Sequence, residues 1–129
     1  MLMGKIIGLG GVFIKARDPK GLAVWYQEKL GINFDGQVYT GFYFTDETGK
    51  VGPGYNVLSF FKQDSDYFSP SEKLVMINLR VEGLPELLED LKGKGVTVVG
   101  DMADEGDFGK FGWVLDPEGN KIELWEPKG

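Results

Sequence analysis

Lys121, Glu123 and Trp125 alternate with Ile122 and Leu124 in the segment DPEGNKIELWEP, residues 116–127. Pro117, Gly119 and Asn120 predict a tight turn before them. The period-two pattern predicts a strand with one apolar face, Ile122 and Leu124. The other face then carries a carboxylate between an ammonium and an indole. A carboxylate on such a face can act as a general base toward a carbon acid, or accept a hydrogen bond from a ligand. It can equally be a structural partner of a nearby cation, because ion pairs perturb carboxylates without implying function.

Two other strands supply neighbours for it. In the first, Val12, Ile14 and Ala16 alternate with Gly11, Phe13 and Lys15; in LVMINLRVEG (74–83), Ile77, Leu79 and Val81 alternate with Met76, Asn78 and Arg80. Each strand has one face suited to packing a helix and one mixed face. If the mixed faces converge, they form a lining of Phe13, Lys15, Met76, Asn78, Arg80, Glu123 and Trp125, joined by Trp113 from FGWVLD. A few polar groups among apolar ones is the composition of a small-molecule pocket. On the functional reading, Glu123 is the proton-transfer base, Asn78 or Arg80 stabilises an enolate, and Lys15 and Arg80 grip an anionic group. Phe13, Trp113 and Trp125 stack on a planar ligand. On the structural reading, the aromatics are sheet packing, Met76 fills space, and Glu123 pairs with Arg80 or Lys15. The expected neighbours of Glu123 are Arg80, Lys15 or Asn78.

These strands belong to a repeated pattern. Asp18 and Pro19 are helix-start residues, Leu22, Trp25, Tyr26 and Leu30 follow at helical spacing, and Gly31 ends the run. Trp25 and Tyr26 read as core. Leu84, Leu87, Leu88 and Leu91 form a second amphipathic run that ends at Gly93 and Gly95. Helices are therefore predicted over 19–30 and 84–93. The segments VFIKARDPKGLAVWYQEKLGI and INLRVEGLPELLEDLKGKGV both read strand, turn, helix, Gly, strand, with Asp18 opposite Gly83 and Gly31 opposite Gly95. The expected fold is α+β: two β-α-β-β-β modules, about 5–62 and 74–126, in one domain spanning 1–129. Their curved, mostly antiparallel sheet surrounds an open cup. Residues 63–73 read as a connector, and DYFSPS (66–71) within it as a stretch that could close over the cup mouth.

Composition narrows the partners. The net charge of −6, from 14 basic and 20 acidic residues, argues against nucleic acid and anionic membrane surfaces. No apolar run is long enough to span a membrane, and the N-terminus does not read as a signal peptide, so a cytoplasmic location is expected. The 129 residues contain no Cys and no His. Thiolate chemistry is absent, and so is the commonest ligand for transition metals.

The segments GLGGVFIKARDPKGLAVWYQEKLGI, MINLRVEGLPELLEDLKGKGV and FGWVLDPEGNKIELWEP resemble the vicinal oxygen chelate superfamily of glyoxalase I, bleomycin-resistance proteins and extradiol dioxygenases. The resemblance implies a two-module cup with the site inside, usually around a divalent metal held by His and Glu. In the ligand slots this chain has Gly11, Met76, Ser59 and Glu123. One carboxylate does not hold a transition metal, so no metal and no cofactor is expected. That absence argues against lactoylglutathione lyase activity, which leans on a metal. The resemblance is to metal-lacking, glyoxalase-like members. It implies a metal-independent binding protein whose ligand, of aromatic or anionic character, sits in the cup, with Ser59 added to the lining. The alternatives are a metal-free lyase or isomerase using Glu123, and an interaction protein with a filled cup. A homodimer is also expected, as two-module relatives usually pair and two-fold association is the commonest oligomer.

Overall fold

The computed structural model describes residues 4–128. The chain begins with β1 (Lys5–Ala16), α1 (Pro19–Leu30), β2 (Tyr39–Thr45) and β3 (Val51–Lys62). It continues with β4 (Val75–Glu82), α2 (Leu84–Gly93), β5 (Thr97–Val98), β6 (Ala103–Asp104), β7 (Lys110–Leu115) and β8 (Lys121–Glu126). The strands form one open sheet in the order β2-β3-β1-β4-β8-β7-β5, with β6 also pairing β7. The β1/β3 and β4/β8 pairs are parallel and the other pairs antiparallel. The α+β cup expected from the repeat is thus the fold, with the two halves joined edge to edge along β1 and β4. No helix among the described residues is long and apolar enough to cross a membrane.

Both helices occupy the predicted spans. Asp18 accepts a hydrogen bond from the Gly21 amide at 3.0 Å, and Gly31 closes α1 in the left-handed region. At the start of α2, Gly83 is itself left-handed and offers no capping side chain. Glu126, from the end of β8, takes over: its two oxygens accept from the Gly83 and Leu84 amides, each at 3.0 Å. The last strand therefore caps a helix with one face and builds the cup with the other. Beneath α2, Val81, Leu84, Leu87, Leu88, Val114 and Leu124 form one buried cluster. Beneath α1, Ala23, Phe34 and Phe60 form a second, with Ile14, Leu22 and Tyr26 around them.

Two expectations fail locally. Trp25 is 49% exposed rather than core, because Ala23 and the edge of Tyr26 are what α1 turns toward the sheet. No strand follows Gly31 in the first repeat. Phe34 is instead drawn inward beside Phe60, stacked at 5.4 Å, and the Gln27 side chain accepts its amide hydrogen bond. Burying this ring bends the segment out of any extended course. The first repeat thus has three strands, and the second has two-residue strands at β5 and β6.

Removing the Glu126 carboxylate strands two helix-start amides. Glu126→Ala is expected to cost about 1 kcal/mol, read as a lowered urea midpoint at unchanged m-value. Glu126→Gln, which keeps one acceptor, should lose less.

Candidate functional site

The concave face is built on the pairing of β4 with β8, which sets Asn78 beside Glu123 and Arg80 beside Trp125. Across β8, β7 sets Trp113 opposite Glu123 and Phe111 opposite Trp125. Because strand side chains alternate, this register sends Glu123, Asn78 and Trp113 to the same face. Glu123 is 1% exposed. Its Oε1 accepts from Asn78 Nδ2 at 2.7 Å and its Oε2 from Trp113 Nε1 at 2.9 Å. A third donor, the Tyr67 hydroxyl, also reaches Oε2.

Tyr67 comes from the connector, residues 63–73, whose sequence reads as a linker or a cover for the mouth. In the fold the connector enters the cup. Phe68 is fully buried against Phe13, Met76 and Phe61, filling one end of the concavity. Tyr67 stacks on Phe61 at 5.4 Å and sets its edge against Trp113. Lys121 is buried under it and donates from Nζ to the Tyr67 carbonyl at 2.7 Å, with its charge over the Tyr67 and Trp113 rings. The connector's tyrosine is thus held at its backbone by Lys121 and at its hydroxyl by Glu123.

The electrostatics follow from this burial. Desolvation pushes the Glu123 carboxyl above the ordinary carboxylate range; the donations from Tyr67, Trp113 and Asn78 and the charge of Lys121 pull the other way without cancelling it. Burial also raises the Tyr67 phenol, and the Glu123 charge raises it further. Burial lowers the Lys121 ammonium, opposed by Glu123. No cation stands within 4 Å of the Glu123 oxygens among the described residues.

At the other end the cup stays open. A cavity of about 430 Å³ is lined by fourteen residues, nine of them aromatic. Tyr39, Tyr43 and Tyr55 come from the β2–β3 hairpin, Phe108 and Phe111 from the second repeat, and Asn78 and Glu123 lie at the base. Only β3 residues from 57 onward pair with β1. The rest of the hairpin is an arm that brings the Tyr55 ring to 5.4 Å from Trp125.

The residues expected in the lining divide. Phe13, Asn78, Glu123 and Trp125 line this cavity. Trp113 lies behind the carboxylate as a donor, and Met76 is sealed under Phe68. Of the three neighbours expected for Glu123, Asn78 is the one that bonds it, and Arg80 and Lys15 do not pair with it. Arg80 is held between the Phe44 and Trp125 rings and donates to the Tyr55 carbonyl at 3.2 Å, pinning the hairpin arm. Lys15 sits over the Phe68 ring, 5.2 Å from its centroid. Ser59 lies along a second hollow of about 1010 Å³ with Arg17, Asp18 and Lys62. That hollow is larger, but it holds no buried polar group, so the aromatic cavity is the better candidate. Sequence reasoning missed Tyr67, Lys121's anchoring role and the hairpin tyrosines. The only local signal was the aromatic pair Tyr67-Phe68 inside an otherwise polar stretch.

The divalent metal usual in the superfamily does not fit these residues. A side chain at position 11 would drive its Cβ into the Val57 carbonyl oxygen. Met76 faces an apolar cluster, Ser59 faces a different hollow, and Glu123 already takes three N–H or O–H donors. Among the described residues no three His, Cys, Asp or Glu side chains come together as a ligand set.

The sequence matches the family described as "Glyoxalase-like domain" over residues 11–125. No curated protein matches it. Among solved structures it is similar to a variant of Streptomyces coelicolor methylmalonyl-CoA epimerase in complex with 2-nitronate-propionyl-CoA. There the TM-score is 0.67 at 18% identity, covering 97% of this chain and 100% of that one. It is also similar to methylmalonyl-CoA epimerase from Mycobacterium tuberculosis, with TM-score 0.62 at 20% identity and 96% and 90% covered. A hypothetical protein from Bacillus halodurans matches with TM-score 0.60 at 14% identity, with 98% and 96% covered. These identities carry the fold alone. With a family match running from β1 to β8, the chain belongs to the glyoxalase-like domain family.

Proposed function

We propose that this protein is a metal-independent small-molecule-binding protein whose ligand sits in the aromatic cavity against Glu123. The observation that carries the reading is the cavity itself: about 430 Å³, mostly aromatic, with a buried carboxylate and carboxamide at its base. Pockets for small molecules have this size and this economy of polar groups. The connector supports it too, since Phe68 fills one end of the cup and leaves the other end empty. A collapsed cup would have no such space. Similar solved structures include a methylmalonyl-CoA epimerase in complex with methylmalonyl-CoA and another with 2-nitronate-propionyl-CoA, which supports the reading of a small-molecule site.

A second reading, a metal-free lyase or isomerase, is favoured by one feature. Glu123 is a carboxyl whose proton affinity burial raises, beside a phenol, and a carboxylate so strengthened is a better proton acceptor than an exposed one. Tyr67 would then return or share the proton while Asn78 holds a developing oxyanion. Incorporation of deuterium from solvent into a bound carbonyl compound at the carbon next to its carbonyl, lost in Glu123→Gln, would select this reading over simple binding.

Native mass spectrometry of the purified protein, with a fragment screen followed by NMR at the Trp113 and Trp125 indoles, tests the binding reading. A retained adduct or saturable shifts at those indoles are expected. An adduct-free protein whose indoles respond to no fragment would overturn it.

Glu123→Gln should stay folded. Once the Asn78 amide turns over, the Gln oxygen can accept from Tyr67 and Trp113 while its NH2 donates to Asn78 Oδ1, a buried oxygen that has no partner now. The stability change is expected to stay within about 1 kcal/mol, and ligand uptake is expected to be lost. Unchanged uptake would make Glu123 a purely structural group.

The raised Glu123 value also fixes a sign. Its folded carboxyl binds a proton more tightly than the unfolded one, so its contribution to stability is fully present at pH below the unfolded value and is lost as pH rises through the folded one. The stability of the parent relative to Glu123→Gln should therefore fall as the pH rises above the ordinary carboxylate range, measured by urea unfolding across a pH series.

A further inference from the structure

Of the fourteen residues lining the cavity, only Glu123 carries a charge. The lysines and arginine of the concave face are engaged elsewhere: Lys121 on the Tyr67 carbonyl, Arg80 on the Tyr55 carbonyl, and Lys15 over Phe68. A carboxylate has about four lone-pair positions. Three are taken, all by neutral donors, and Oε1 accepts only from Asn78. Ionised, Glu123 is a buried anion with no counter-ion in contact, facing a space walled by rings. Ring faces attract cations through their quadrupole, more strongly where water is excluded. The cup already uses this attraction on its own side chains. Arg80 lies 5.2 Å from the Trp125 ring and 5.4 Å from Phe44, Lys15 lies 5.2 Å from Phe68, and Lys121 lies 5.5 Å from both Tyr67 and Trp113.

We infer that the ligand of this cup is a small organic cation, an ammonium on an aromatic or aliphatic body, with its charged end at Glu123 Oε1 and its body against the hairpin tyrosines. This rests on the cavity being the ligand site. The anionic ligand suggested by the sequence loses its basis, since no Lys or Arg lines the cavity. An ammonium supplies the missing counter-ion and the fourth donor in one group. Binding is then coupled to protons: the cation favours ionised Glu123, and the buried carboxyl resists ionisation until one arrives. The groups facing Glu123 are Tyr67 from the connector, Asn78 from β4, Trp113 from β7, and Lys121 on its own strand. Tyr67 titrates far above neutrality, and Asn78 and Trp113 do not titrate. Lys121, whose ammonium burial lowers, stays out of contact with the Glu123 oxygens. A fall in affinity on the acid side is therefore assigned to Glu123.

Three probes of nearly one shape decide the matter: benzylammonium, benzyl alcohol and benzoate, titrated into the intact protein and followed at the Trp113 and Trp125 indole N–H signals. Benzylammonium is expected to bind about tenfold or more tightly than benzyl alcohol near pH 8, with benzoate weakest. Its advantage should shrink as the pH falls through the Glu123 titration, and it should vanish in Glu123→Gln. The pH series uses the parent protein, so it stands even if the variant misfolds. Benzyl alcohol or benzoate binding as tightly as benzylammonium would overturn the cation assignment and leave the cup as a binding site. Failure of all three to shift the indoles would overturn both.

Discussion

One buried carboxylate organises this molecule. Glu123 gathers a phenol from the connector, an amide from β4 and an indole from β7 onto two oxygen atoms. The donors come from positions 67, 78 and 113, so a single group ties three segments that are distant along the chain. An ionised group at 1% exposure is costly without such partners. The fold meets that cost with neutral dipoles rather than with a cation, which holds the site together while leaving its charge open. Removing any of the three donors would leave the carboxylate less satisfied and the connector less fixed.

The connector is what turns a symmetric repeat into an asymmetric cup. Two equal modules would leave two equal halves of concave surface. Here Phe68 fills one half against Phe13 and Met76, and Lys121 and Glu123 hold Tyr67 across the boundary. The other half is roofed by the hairpin arm that Arg80 holds at the Tyr55 carbonyl. Hydrophobic burial and cation–ring contacts thus divide the work: the first closes one end, and the second steadies the walls of the other.

Much of this was readable from residue order, for a physical reason. Helix spans followed from Asp18, Gly31 and the leucine spacing of 84–91, since caps and amphipathic period are local signals. Strand faces followed from alternation, so the direction of Glu123 and its neighbour Asn78 were legible. What alternation cannot carry is distance across the chain. Tyr67 meets Glu123 from 56 positions away, and its placement is decided by the packing of Phe68. The loss of a strand after Gly31 was decided by Phe34 in the same way. Arg80 and Lys15 sit on the expected face, yet a face does not say which group a long side chain will reach. Each found an aromatic ring instead of the carboxylate.

The close approach at Gly11 has a bearing on what this scaffold could become. Any side chain there would strike the Val57 carbonyl, so β3 would have to retreat before position 11 could hold a ligating group. But β3 is also the strand that carries Tyr55 over the cup. A metal-ligating residue at 11 and the present aromatic wall therefore compete for one strand position. Placing a ligating side chain at position 11 is therefore not a matter of one substitution. It requires rebuilding the wall that now shapes the cavity, and the two designs are alternatives rather than neighbours.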